Sequence, residues 1–367
     1  MTPTRLFVQL VIFLCVLSSL ECKKGSPVGP SQPSSPDSTS HNISWQSYSL
    51  DGGSGVEGAS LYDVSIINDS LILAVGEVYF TDSTTGVPDP RPYNLAEWNG
   101  TSWSLRKVAV ATPYGSATTP IYGIFSFSAT DIWLLAGFPV HGDGTTWNEY
   151  DLVNMGILTQ NDGYIRGAWG SSSKDMYFIG TKGTIVHYDG TNWKKIQTGT
   201  ALDMQAIWGG YDQKTSEYQI LALASYPFTF PEGKLLLQLN GSTATAIADS
   251  GLAPSLMGLW FIPSECYYIV GDGIYQKSIL GDPMWSSLPL LTTFYTSNAR
   301  GNSPIDVFIV GSFGECLHWN GKSWRSFFNV TGLENGAYSQ VAVKGNIVAA
   351  AGSNNATAVV LIGRRAN

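Results

Sequence analysis

Short apolar runs of β-branched and aromatic residues punctuate the chain, each closed by a glycine. Met176–Gly180 reads MYFIG, Tyr267–Gly271 reads YYIVG and Val307–Gly311 reads VFIVG. Runs of this length and composition suit buried strands and are too short for buried helices. Polar turn residues recur between them. Asn99-Gly100, Asp189-Gly190, Asn240-Gly241 and Asn320-Gly321 are two-residue hairpin signals, because both central residues take a positive φ that Asn, Asp and Gly tolerate. Ser171–Asp175 supplies side-chain oxygens that cap backbone groups between two strands. The pattern predicts many short antiparallel strands joined by tight turns.

The strands belong to an internal repeat. Residues 168–193 (AWGSSSKDMYFIGTKGTIVHYDGTNW) align without a gap on residues 299–324 (ARGNSPIDVFIVGSFGECLHWNGKSW). Nine of the 26 positions are identical, among them Gly170/Gly301, Asp175/Asp306, His187/His318 and Trp193/Trp324. Three periods of ~44 residues, the length of a four-stranded propeller blade, fill the spacing between the copies. Two further units lie between them, one around Trp208-Gly209 and one at 260–271, where Cys266 stands in place of the repeat's Asp. Upstream come 125–137, with Asp131, and a first unit running from Tyr62 to Trp103. The last unit, 337–365, offers three strands and no closing Trp. Ile43–Leu50, at the other end of the chain, supplies the missing strand. The expectation is an all-β, seven-bladed propeller of four-stranded antiparallel blades, the last blade closed by the N-terminal strand, which removes exposed sheet edges. The Trp opening each fourth strand is expected to pack between blades. The second unit is irregular. His141–Trp147 mimics the hairpin turn but follows Gly137 so soon that 138–151 reads as a long loop.

Composition narrows the function. The chain has 367 residues, 20 Lys plus Arg against 28 Asp plus Glu, and a formal net charge of -8. Nucleic acid is excluded as a partner, because phosphate binding needs clustered cations. No Cys-x-x-Cys pair exists and the four His have no ligand spacing, so neither a metal nor a cofactor is expected. Cys266 and Cys316 are expected to be free and buried. His187 and His318 fall on third strands three blades apart, too far for a shared metal. Asp131, Asp175 and Asp306 recur at the turn, which favours a structural role.

Residues 1–21 place one Arg ahead of the apolar run Leu6–Leu17, which is too short to span a bilayer and fits the core of an export signal. Cys22 follows, then a Ser/Pro-rich stretch ending near residue 41 that cannot bury enough surface to fold. Cys22 at that place resembles the lipidated N-terminus of a bacterial lipoprotein. The expected organisation is a signal peptide at 1–21, a tether at 22–41 and a propeller at 42–367. The expected location is the bacterial cell envelope, as an outer-membrane lipoprotein on the periplasmic or surface face and bound to membrane through its lipid alone. Secretion without lipid is the alternative.

The repeats W-G-x-S…D-V-Y-x-x-G…H-Y-D-G-x-x-W resemble those of exported bacterial propellers, distantly similar to sialidase-type and photosystem II stability-factor-like propellers. That resemblance covers about residues 42–365. It implies a monomeric, non-enzymatic scaffold that binds a glycan or an envelope protein. An extracellular glycan hydrolase or lyase is one alternative, and an assembly factor for an envelope complex is another. No Gly-x-Ser-x-Gly elbow, His-Glu-x-x-His helix or phosphate loop is present. In a propeller, loops from strand two to three and from strand four to the next blade share one face. Three long second-to-third loops are expected there, at 77–94, 138–151 and 226–233. They present Tyr79, Tyr93, Trp147, Tyr150, Tyr226, Phe228 and Phe230, aromatics suited to sugar stacking or a protein hot spot. Arg166 and Arg300, in or near innermost strands, are the candidate charged groups of the channel. Their convergence with a carboxylate at one mouth is the arrangement an enzyme needs.

Overall fold

The computed structural model describes residues 38–50, 58–81, 84–87, 89–112, 115–228, 233–289 and 291–366. The leader, Cys22, most of the tether and Phe230 lie outside them. Seven four-stranded antiparallel sheets carry the chain, with one extra two-stranded ribbon at Val110–Thr112 and Gly115–Ala117. The first strands are Ala59–Asn68, Gly123–Ser128, Ile165–Ser172, Met204–Asp212, Leu256–Ile262, Thr296–Ser303 and Gly336–Lys344, here numbered as blades 1 to 7. Each first strand packs beside the next and the seventh beside the first, so the ring is closed around a channel.

The closing strand is N-terminal. Ile43–Ser49 pairs with Thr357–Arg365 and forms the outer edge of blade 7. Its approach is fixed on blade 6. The Thr39 N–H donates to the Asn320 carbonyl at 2.9 Å and its hydroxyl to Ile305 at 3.0 Å. The end of the predicted tether is therefore bonded to the ring.

Buried apolar residues fall into seven clusters, one between each pair of adjacent blades. The fourth-strand tryptophans sit there. Trp103, Trp147, Trp193 and Trp324 each pack against the preceding blade, and Trp45 of the closing strand does so for blade 7. The Trp-Gly dipeptides have a matching reason on the first strands. The Trp169 ring of blade 3 lies on Gly209 of blade 4, where an added Cβ would come within 2.5 Å of it. Trp260 of blade 5 lies on Gly301 of blade 6 in the same way. Gly209→Ala is expected to cost about 1–3 kcal/mol by overpacking. The check is the urea midpoint of the full chain; an unchanged midpoint would remove this account of the dipeptide.

A second repeat device joins strands two and three. In blades 2, 3 and 6 an Asp opens strand two, an aromatic follows two residues later on the same face, and a His stands opposite on strand three. His141 bonds Asp131 at 2.9 Å and stacks on Trp133; His187 bonds Asp175 at 2.8 Å and stacks on Tyr177. His318 bonds Asp306 at 3.0 Å and stacks on Phe308. Each ring pair has its centroids 4.2 Å apart. His187 holds the Asp175 carboxyl below its usual range.

One expectation fails here. Residues 138–151 are not a long loop: Pro139–Gly142 and Trp147–Glu149 are strands three and four of blade 2. Strand two is one residue shorter than in blades 3 and 6, and the connection 136–138 is one residue shorter than 181–184 or 312–315, which is why the turn at 143–146 follows Gly137 so closely. The long connection of this blade comes later, between Glu149 and Ile165, and leads to blade 3. Cys266 and Cys316 are free, Cys316 buried and Cys266 half-buried, and burial pushes both thiols up.

Candidate functional site at the channel mouth

Strand direction sorts the connections. Second-to-third loops and blade-to-blade connections emerge on one face, and the Asp and Asn-Gly turns on the other. On the first face the channel opens into a cavity of about 530 Å³ to which all seven blades contribute.

Its rim is built by one repeated backbone irregularity. The first strands of blades 1, 3, 4, 5, 6 and 7 each carry a β-bulge near their start, at Tyr62, Arg166, Gln205, Met257, Ser297 and Ser339. A bulge leaves one residue outside the ladder and re-aims its side chain. All six line the cavity, and Tyr122, just ahead of the first strand of blade 2, completes a ring of seven. In each blade the residue stands three positions before the one aligned with Trp169. That offset was readable in the repeats. Its meaning was not, because a bulge is a pairing event and leaves no mark in hydrophobic period.

The ring is chemically lopsided. Tyr62 and Tyr122 stack with centroids 5.5 Å apart. The Tyr62 hydroxyl donates to Glu77 Oε1, and the Tyr79 hydroxyl donates to Glu77 Oε2 at 2.8 Å. Burial and the Glu77 carboxylate push Tyr79 up to about 12 and Tyr62 higher still. Arg166 lies 3.6 Å from Asp203, whose other oxygen accepts the Lys182 N–H at 2.9 Å. The opposite side offers small hydroxyls, Ser297 and Ser339.

Below the ring, polar groups meet in the throat. Asp63 accepts the N–H of Val64 at 2.8 Å and of Ile124 at 3.0 Å. Burial nevertheless pushes its carboxyl up to about 6, the two N–H groups and Arg300 pulling the other way. Arg300 occupies the position where other blades carry Trp. Its guanidinium lies over the Trp208 ring, 4.5 Å from the centroid, and donates to the carbonyls of Ala299 at 2.8 Å and Leu259 at 3.2 Å. Burial lowers it to about 10, and Asp63 opposes that. Asn298 is fully buried beside them, and its Oδ1 has no hydrogen-bond partner among the described residues. An unmet buried acceptor costs about 1–3 kcal/mol.

The sequence candidates divide. Phe228, Arg166 and Arg300 line the mouth. Phe228 is 77% exposed, has a positive φ of 62° and rests on Tyr295, 4.5 Å between centroids. Tyr79 buttresses the rim through Glu77. Tyr226 donates to the Ala201 carbonyl at 2.7 Å. Tyr93 opens the third strand of blade 1, against Phe80 and under the Lys107 ammonium. Trp147 and Tyr150 lie in the walls between blades, where Tyr150 packs on Trp133 and Trp193. The throat and rim residues Tyr62, Asp63, Tyr122, Gln205 and Asn298 were missed, because positions at the start of a first strand carry no loop signal. No cluster of three metal-ligating side chains occurs among the described residues, and no described helix is long and apolar enough to cross a membrane.

No protein-family model matches the chain, and no curated protein does. Solved structures do. A YCF48 structure bound to a D1 peptide superposes with a TM-score of 0.61 at 16% identity, over 88% of this chain and 97% of that one. YCF48 from Cyanidioschyzon merolae gives 0.57 at 14% identity, covering 87% and 98%. The WD40 propeller domain of Doa1 gives 0.57 at 10% identity, covering 86% and 99%. At such identities these likenesses show the fold alone, a β-propeller, and the chemistry has to be argued from the mouth itself.

Proposed function

We propose that the chain is a non-enzymatic binding protein of the bacterial cell envelope that holds an extended peptide segment of a protein partner across the channel mouth. The observation carrying this reading is the seven-residue rim to which all seven blades contribute, with a stacked tyrosine pair on one side and small hydroxyls on the other. A peptide brings backbone donors and acceptors at short intervals, which suits the scattered Gln205, Ser297 and Ser339. The stacked Tyr62–Tyr122 pair and exposed Phe228 give apolar anchors of the hot-spot kind. YCF48, a propeller of the same fold, was solved with a peptide bound, which makes this ligand class the first to test. Anchoring through a lipidated Cys22 belongs to the same proposal. The chain joins the ring at Thr39–His41, on the face opposite the mouth, so an upstream anchor does not compete for the site.

The experiment is an array of 15-residue peptides from envelope proteins, probed with the full chain and with an Arg166→Ala/Phe228→Ala variant. The expected result is a set of peptides bound by the wild type and weakened at least tenfold by the double substitution at unchanged melting temperature. Binding that survives the substitutions, or an empty array, overturns the reading.

A hydrolase is the second reading, favoured by Arg166, Arg300 and Asp63 meeting at one mouth. Both guanidinium groups already have partners there. Wild-type turnover of an extracellular polysaccharide, lost in Asp63→Asn, would replace the binding proposal.

A further inference from the structure

A second pocket lies beside the mouth. The connection from blade 5 to blade 6 runs through Leu291, Thr292 and Phe294, directly before the mouth residue Tyr295. Together with Glu315, Ser326 and Phe328 it encloses an open cavity of about 400 Å³. Phe294 and Phe328 are packed rings, 5.0 Å between centroids. The Thr292 hydroxyl fixes the connection by accepting the Phe294 N–H at 3.1 Å.

Glu315 is the anomaly. It is only 3% exposed, yet it lines this cavity. Its Oε1 accepts the Ser326 hydroxyl at 2.6 Å and the Cys316 N–H at 3.1 Å. No Lys, Arg or His among the described residues forms an ion pair with it. Buried carboxylates are normally paired, because an uncompensated charge in a dry site is costly. A pocket with a carboxylate at its base and aromatic faces on its wall matches a cation in both respects.

We propose that this rim pocket seats the lysine or arginine side chain of a partner peptide, with Glu315 supplying the counter-charge and Phe294 and Phe328 the flanking π faces. The peptide then runs from the throat over Tyr295 and Phe294 to the rim of blade 6. The inference rests on the peptide-binding reading for its partner and adds that the partner is basic. The chain's net charge of -8 steers such a ligand in the right direction.

The test uses the full chain and three variants. Glu315→Gln keeps an oxygen for Ser326 and Cys316 and removes the charge. Thr292→Lys supplies an internal cation beside the carboxylate. Phe328→Ala opens the wall. On the peptide array, the wild type is expected to require Lys or Arg at one position of its bound peptides, with at least a tenfold loss when that residue becomes Gln. Glu315→Gln and Thr292→Lys should erase the preference, with melting temperature unchanged or raised. Binding without a basic requirement, or a requirement that persists in both variants, overturns the inference while leaving the mouth reading intact. If the array stays empty, Nα-acetyl-lysine-N-methylamide is titrated directly at millimolar concentration. Saturable binding lost in Glu315→Gln and weakened in Phe328→Ala keeps the cation pocket without the peptide reading. No binding ends both.

Discussion

Asp306→Ala is expected to lower the stability of the ring by about 3–5 kcal/mol, the range for breaking a buried ion pair by removing one partner. Asp306 is 2% exposed and serves three donors. Its Oδ1 accepts from His318 Nε2 and from the Arg365 guanidinium, and its Oδ2 accepts from Asn302 Nδ2 at 2.8 Å. Truncation leaves the Arg365 cation without its counter-charge over the Phe308 ring. It also releases His318, whose Nδ1 lies 2.9 Å from Nδ1 of His41. One of the two rings donates its Nδ1–H to the other. Burial, and then His318 and Arg325, hold His41 below its ordinary value and so favour its neutral form. Arg365 ends the third strand of blade 7 and His41 leads into the closing strand, so the loss falls on the seam of the ring. Asp175→Ala and Asp131→Ala are the controls. Their carboxylates are 38% and 32% exposed, so solvent replaces much of the lost bond and each should cost about 1 kcal/mol. Urea unfolding of the three variants ranks them. Equal losses for all three would mean that the buried seam carries no special weight.

That series shows which parts of the molecule the sequence made legible. The identity of Asp175 with Asp306 and of His187 with His318 gave the blade length, hence the number of blades. The recurrence came from packing, since Asp, aromatic and His share one face of each blade. The third copy, His141 with Asp131, was hidden by a shorter second strand and a shorter connection to the third, and the same compression made 138–151 look like a loop. Losing one residue from a strand and one from a connection changes spacing without changing composition, so pattern alone had nothing to register. Trp147 and Tyr150 were consequently taken for exposed aromatics, whereas they fill the same inter-blade positions as other wall aromatics. At the mouth, Arg166 and Arg300 were legible because Arg is rare in so uncharged a chain and because innermost strands face a channel. Asp63 and Asn298 were not. Both follow directly after a bulge residue, and a one-residue slip in pairing decides whether a strand position faces the channel or the blade wall. Tyr62 and Gln205 reach the rim through the same bulge.

Asp63 also gives the largest expected response to pH. Burial raises its carboxyl from 3.8 to about 6 in the folded ring. Between those values the folded chain holds a proton that the unfolded chain has released. Stability is therefore greatest below about pH 4 as far as this group is concerned, falls as pH rises to about 6, and stays at the lower level above. At ~1.4 kcal/mol per pKa unit the full change is about 3 kcal/mol. Asp63→Asn cannot exchange the proton. The variant loses one of the two backbone acceptors and the charge facing Arg300, but Arg300 stays cationic throughout this window, so that loss is a constant offset. His41 titrates alike in both proteins and cancels. Unfolding free energies of wild type and variant, measured from pH 4 to pH 8, should differ by an amount that moves against the wild type by about 3 kcal/mol and then levels off. A difference independent of pH would mean that burial in the throat does not raise the Asp63 carboxyl. The same proton sets what the throat offers a ligand. Above about pH 6 Asp63 is a carboxylate that accepts and favours a donor-bearing group. Below it the neutral acid competes for the same acceptors. Affinity of the mouth for a donor ligand should accordingly rise with pH through the range in which the protein itself becomes less stable, because the cost of the buried charge is what the ligand relieves.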